Sequence, residues 1–228
     1  MHGKLETVWR PLVWDIPTRI MHWLLVAFIG ICWWSGVNNE LQYHIYSGYG
    51  ALWVVVLRLY WGLVGSSTAR FANFVRGPRA IWTYAITLHR RDTPHSNGHN
   101  PLGAVSVVLM LCTVLAVIGI GLFAVDVDSL YSGPLSGYVS FRQGRHLAHL
   151  HYTVFELLLG VIALHISAVI FYYAYKRHNL LSPMISGRPK GEIAHIPTLE
   201  AAPGWRLLPG ALLAAGVVWV IDNLFYYW

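Results

Sequence analysis

Charge is what this chain has least of: of 228 residues only 11% are Asp, Glu, Lys or Arg, against roughly 25% in an average soluble domain. Combined with 56% hydrophobic residues, that deficit excludes an ordinary soluble fold and predicts an integral membrane protein. Cysteine is almost as scarce. Cys32 and Cys112 each lie inside an apolar run, which predicts packing residues. Two cysteines cannot hold an iron-sulfur cluster or a structural zinc. The lack of any Cys-x-x-Cys-His sequence excludes covalent c-type haem attachment, so any haem is of b type. The net charge is +6, but the basic residues sit in loops beside long apolar runs. That is a topology signal and argues against a nucleic-acid partner.

What the chain has is apolar runs. Five predict membrane-spanning helices over about 17–36, 44–65, 101–125, 148–175 and 206–225, each long enough to cross a hydrocarbon layer. The expected architecture is all-α: a four-helix transmembrane bundle within residues 1–190, then a carboxy-terminal segment, 191–228, carrying the fifth span. Pro17 can open the first helix. That run lacks a small-residue cleavage site and is followed by further spans, so it reads as a retained helix and not a signal peptide. Trp9, Trp14 and the terminal Tyr226, Tyr227 and Trp228 suit headgroup regions. In the basic connection 66–100, Gly77 to Leu88 predicts an amphipathic surface helix with Trp82 and Tyr84 in the interface. His89, His95 and His99 follow no zinc spacing and are expected to face water or headgroups. The third span carries neither charge nor histidine and is expected to pack and insulate, with Gly119 and Gly121 as a close-contact surface. Residues 176–205 read as irregular.

Two histidines, His151 and His165, lie in the fourth span with almost only apolar residues between them. Fourteen helical positions rise about 21 Å and fall about 40° short of four turns, so both rings leave one face at two depths. A lone histidine on an apolar face is more often satisfied by a carbonyl or hydroxyl than by metal. The test is whether other spans supply histidines at matching depths. His22 lies just inside the first span and His44 at the start of the second.

Lys and Arg set the orientation. Lys4, Arg10 and Arg19 precede or open the first span. Arg70, Arg76, Arg79, Arg90 and Arg91 fill the second loop, and Lys176, Arg177, Arg188 and Lys190 the fourth. The first loop has none, and the third has Arg142 and Arg145. The positive-inside rule then predicts a cytoplasmic amino terminus and a periplasmic carboxy terminus. Depths follow: His22 and His165 fall on the cytoplasmic side, His44 and His151 on the outer side. Two bis-histidine b haems in a four-helix bundle require that sorting, and independent structural histidines do not. His146 and His149 sit on other faces of the fourth helix. Arg19 and Arg58 are candidate haem-propionate partners, with snorkelling to headgroups as the plain alternative for each. Arg142 and Arg145 could draw an anion toward the outer haem, beside acidic Asp126 and Asp128. For a quinone, Arg58, Tyr60 and Trp61 are candidates.

The stretches VWDIPTRIMHW, RLYWGLVGSSTARFANFVRGP and GHNPLGA, with the LH-x13-H arrangement of the fourth span, resemble the prokaryotic cytochrome b561 family. The likeness is to its branch grouped with the cytochrome b subunits of nickel-iron hydrogenases, and it covers about residues 8–190. It implies a four-helix core with two b haems, ligand histidines at His22, His44, His151 and His165, and quinone chemistry in the bacterial inner membrane. The fifth span departs from that pattern; a partner or lipid contact is the expectation for it. The reading that results is a dihaem cytochrome passing electrons between the quinone pool and a periplasmic cytochrome c, a dehydrogenase or a hydrogenase subunit. Two alternatives stand beside it: a superoxide:ubiquinone oxidoreductase, and a haem-free membrane anchor or assembly subunit.

Overall fold

Inside a bilayer no water is available to peptide groups, so a long apolar run must close its hydrogen bonds within a helix. Five runs do so in the computed structural model of the chain, which describes residues 12–90, 98–127, 131–188 and 199–225. They are α1 (Ile16–Val37), α2 (Leu41–Val64), α5 (Pro101–Gly121), α6 (Phe141–Ala174) and α8 (Leu207–Phe225), each long and apolar enough to cross a membrane. Between them lie the short α3 (Phe71–Phe74), the amphipathic α4 (Pro78–Thr87) and α7 (Leu181–Ser186). No strand occurs among the described residues. Trp9, His95, Asp128, Lys190, Tyr226, Tyr227 and Trp228 lie outside them.

Local chemistry sets the helix starts. At α1 the side chain of Asp15 accepts from the Thr18 backbone N–H at 2.8 Å, with a proline in the first turn. Asn100 does the same for α5, accepting from Gly103 N at 2.7 Å ahead of Pro101. These are the side-chain caps that satisfy otherwise orphaned N–H groups. The fourth span differs from expectation at its beginning. A capping box between Ser140 and Gln143 starts α6 at Phe141, seven residues before the apolar run, so Arg142 and Arg145 are helical and not in a loop. The segment after α6, expected to be irregular, holds α7. Six residues are too few for an apolar period to show, and this helix is fixed by tertiary bonds: Arg19 Nη1 donates to Ile185 O at 2.6 Å and Trp23 Nε1 to Met184 O at 3.3 Å.

The closest packing is of α1 on α2 and of α5 on α6, with α2 central because α5 and α8 also lie against it. We call the end of the bundle where α1 begins proximal and the opposite end distal. One apolar cluster joins the two helix pairs: Val55 of α2, Val114 and Val117 of α5 and Leu158 of α6, with Leu25 and Ile29 of α1 against them. Leu158 is seven residues from His151 and seven from His165. The cluster therefore fills the layer midway between the two histidine levels. In lipid its gain is close dispersion contact, since hydrocarbon surrounds the helices in any case.

A second cluster contains Met21, Val54, Leu57, Trp61, Ala69 and Ala214, so the fifth span is attached to the bundle. Gly210 of α8 lets its backbone lie directly on Tyr60 and Leu57, and Arg206 Nη1 donates to Val64 O at 3.0 Å. The segment ahead of α8 is tied as well, by Ser67 N to Glu200 O at 3.0 Å and an exposed Arg70–Glu200 ion pair at 3.4 Å. The other face of α8, with Leu208, Leu212, Leu213 and Trp219, is exposed, which in a bilayer is the lipid side.

The proximal end is organised by Asp15. Besides capping α1 it accepts from Trp61 Nε1 at 2.9 Å and from the Ser66 hydroxyl, joining the start of α1 to the end of α2. Replacing Asp15 by Ala removes a cap and orphans a buried indole N–H and a hydroxyl. Stability measured by denaturant titration in detergent is expected to fall by roughly 2 to 4 kcal/mol. Asp15→Asn, which keeps acceptor capacity, is expected to lose less.

Candidate functional site

At the distal end, α2 and α6 bring His44 and His151 together. Their ring centroids are 5.9 Å apart with planes at 78°. Each ring is held from behind by a main-chain carbonyl: His44 Nδ1 is 2.9 Å from Cys32 O, and His151 Nδ1 is 2.9 Å from Val117 O. With the carbonyl as acceptor, Nδ1 carries the proton and Nε2 keeps its lone pair. That is the tautomer in which a histidine ligates metal through Nε2, and the carbonyl raises its basicity. The neighbouring structure reinforces the placement. Ser35 donates to the same Cys32 carbonyl at 3.2 Å. Gly121 leaves room for the other ring: a Cβ there would lie 2.8 Å from His151 Cε1. Gly36 plays a milder version of this part for His44, at 3.4 Å.

Haem b can be tested against this geometry. Two iron–nitrogen bonds of about 2 Å, with about 1.2 Å from each nitrogen to its ring centre, would separate the centroids of two ligating imidazoles by about 6.4 Å. The His44–His151 separation of 5.9 Å lies within about 0.5 Å of that, and the donor set is neutral nitrogen in apolar surroundings. The residues fit the group. Gly48, one turn beyond His44, would have nothing within 4 Å of an added Cβ. Gly50 is covered by the Phe28 ring of α1.

At the proximal end, His22 of α1 and His165 of α6 lie within electrostatic reach of each other. His22 sits edge-on to Trp23, and its buried Nδ1 has no hydrogen-bond partner among the described residues. Arg58 of α2 is 8% exposed, lies over the Phe71 ring at 4.9 Å and is within electrostatic reach of Asp15. Its buried Nη1 has no hydrogen-bond partner among the described residues, so it is not a headgroup-facing anchor. Arg19 is half-buried and committed through Nη1 to Ile185 O, while its Nε is buried without a partner among those residues. Trp61 and Tyr60 are occupied by packing, Trp61 at 1% exposure on Asp15 and Tyr60 under α8.

Arg142 is exposed at the distal end, and Arg145 donates to Val125 O at 3.1 Å. His146 and His149 are exposed on other faces of α6.

His99 overturns the expectation of a solvated ring. It packs against Trp14, centroids 4.6 Å apart, and against Phe74 at 4.5 Å. Gly98 at φ +111° places it there, a backbone angle that side chains disfavour. Burial, then Arg58 and His165, push the His99 imidazole from its ordinary 6.5 down to about 3. Next in sequence, Asn100 both caps α5 and donates to Tyr172 Oη at 2.9 Å, which shares a hydrogen bond with Tyr84 Oη at 2.7 Å. Tyr84 thereby binds α4 to α6, while Trp82, 71% exposed, takes the outward position. Asp15 was discoverable as an Asp ahead of Ile-Pro at a helix start. His99 carried no periodic signal at all.

A family model described as prokaryotic cytochrome b561 matches residues 13–187. The Escherichia coli K12 protein named "Probable Ni/Fe-hydrogenase 1 B-type cytochrome subunit" is 25% identical over 169 residues, 62% of this chain and 72% of its own length. The protein of the same name from Escherichia coli O157:H7 gives the same figures. No solved structure matches the chain.

The His99 value has a consequence for acid stability. Between about 3 and 6.5 the unfolded chain binds a proton at His99 that the folded chain does not. Its contribution is therefore fully present above 6.5 and is lost as pH falls through that window. Thermal unfolding in detergent, followed from about pH 7 to about pH 4, is expected to lose stability more steeply in the wild type than in His99→Gln.

Proposed function

The chain belongs to the prokaryotic cytochrome b561 family, membrane b-type cytochromes of electron transfer, and from that premise we propose that it carries two b haems at two depths. His44 and His151 would hold the haem at the distal level, and His22 and His165 the haem at the proximal level. The observation that carries this reading is the His44–His151 pair: two imidazoles 5.9 Å apart, each with Nδ1 on a carbonyl.

Bound haem supplies a reversible one-electron iron couple. The chain's residues do the rest. The Cys32 and Val117 carbonyls hold the two distal rings and strengthen their donation, favouring the oxidised metal. The Val55, Val114, Val117 and Leu158 cluster keeps water from the layer between the levels, leaving a short, low-dielectric path. Buried Arg58 supplies positive charge at the proximal level, suited to a propionate carboxylate.

In this reading the proximal end faces the cytoplasm, since Arg70, Arg76, Arg79, Arg90, Arg177 and Arg188 lie in the connections between spans on that side, Arg79 within α4. The membrane is the bacterial inner membrane, and the electrons pass between the quinone pool and a redox partner. The named relatives are cytochrome subunits of a hydrogenase, which supports a partner of the hydrogenase or dehydrogenase type. For the superoxide alternative, Arg142 is exposed at the distal end and Arg145 commits Nη1 to Val125 O, which adds nothing in its favour.

A pyridine haemochrome assay on the purified protein is expected to give two b haems per chain. His44→Ala and His165→Ala are each expected to lose one, and a different one by potential and spectrum. A folded wild-type chain without haem, or one that keeps both haems in both histidine variants, sinks the proposal. Gly121→Ala forces a methyl onto His151 and is expected to perturb the distal spectrum while leaving the proximal one as in the wild type.

A further inference from the structure

His99 is a half-buried imidazole, its Nδ1 fully buried, that the paired-ligand scheme does not use. Its Nδ1 has no hydrogen-bond partner among the described residues, and neither has Nη1 of Arg58. The two side chains lie within electrostatic reach of each other and His99 within reach of His165. Two buried, unanswered nitrogens at the same end of the bundle are costly until an acceptor reaches them, and because the side chains lie near each other one acceptor can serve both.

The surroundings narrow what that acceptor is. Trp14 and Phe74 flank His99 and Phe71 lies over Arg58, so aromatic rings screen the place from headgroups. Asp15, the nearby carboxylate, already accepts from Thr18 N, Trp61 Nε1 and the Ser66 hydroxyl. It balances the Arg58 charge at a distance without answering Nη1. A second carboxylate is the group that matches one cationic and one neutral nitrogen donor.

We propose that His99 and Arg58 form a two-point clamp for a carboxylate, a propionate of the proximal haem, with His99 a positioning residue and not a third ligand. The assignment rests on the paired-ligand reading above. It makes the GHN sequence a unit: Gly98 supplies the turn, His99 the donor, and Asn100 the cap that fixes both to α5. Hydrogen bonding to a propionate withdraws negative charge from the neighbourhood of the iron and so raises its potential.

The test uses the purified, haem-loaded full chain, with resonance Raman spectra of the propionate bending region and redox titration. The wild type comes first: two b haems must be present, and failure here sinks the ligand reading itself. Given two haems, His99→Leu is expected to shift one propionate band and lower the midpoint potential of the proximal haem only. His99→Gln, which keeps an N–H donor, is expected to restore both. Arg58→Gln is expected to move the same band. Loaded His99→Leu with wild-type bands and potentials overturns the clamp, as does a lipid phosphate acceptor, which leaves the propionate bands untouched. Should His99→Leu not fold, His99→Gln decides alone: a propionate band in the position of a free carboxylate contradicts the proposal.

Discussion

An imidazole at bilayer depth has two nitrogens to satisfy and no water to satisfy them. At His44 and His151 the chain answers one nitrogen of each ring with a carbonyl of the adjacent helix. That arrangement dictates much else. The accepting carbonyls are on α1 and α5, so α1 must lie on α2 and α5 on α6, which are the closest helix pairs of the bundle. Gly121 must be a glycine because the His151 ring occupies the place of its side chain. Ser35, with its hydroxyl on the same Cys32 carbonyl, belongs to this arrangement too.

The proximal end is built on the opposite principle. There the polar groups are gathered around charge: Asp15 holds α1 to α2, Arg58 lies buried among aromatic rings, and His99 is kept neutral by its burial. Between the two ends is a purely apolar layer centred on Leu158. One end thus fixes rings, the other places charge, and the layer between insulates both. In the proposed function those are the three tasks of a two-centre electron carrier. α8 adds a further layer against α2 and turns a second apolar face to the lipid.

Much of this was legible in the sequence because bilayer physics leaves few options. Apolar length gave the five spans, and the fourteen-residue interval between His151 and His165 fixed their shared face. What escaped was decided by contacts between distant segments. Asp15 reads as a helix cap, but its bonds to Trp61 and Ser66 cross some fifty residues. His99 looks like one of three loop histidines until Gly98 turns it onto Trp14 and Phe74. The start of α6 was hidden because Ser140 and Gln143 extend the helix beyond the apolar run, where hydropathy no longer reports. The short α7 was hidden because α1 holds it in place. Arg58 reads equally as an anchor or a buried cation until its burial is known.

The central proposal is that His44 and His151, whose rings stand in nearly perpendicular planes, would hold one haem iron between them. Low-temperature electron paramagnetic resonance of the oxidised protein tests it most directly, because the angle between axial imidazole planes governs the anisotropy of a low-spin ferric signal. The 78° angle predicts a highly anisotropic low-spin signal that disappears in His44→Ala and in His151→Ala and survives in His22→Ala. A wild-type spectrum with only high-spin iron, or a low-spin signal indifferent to both distal histidines, would contradict it.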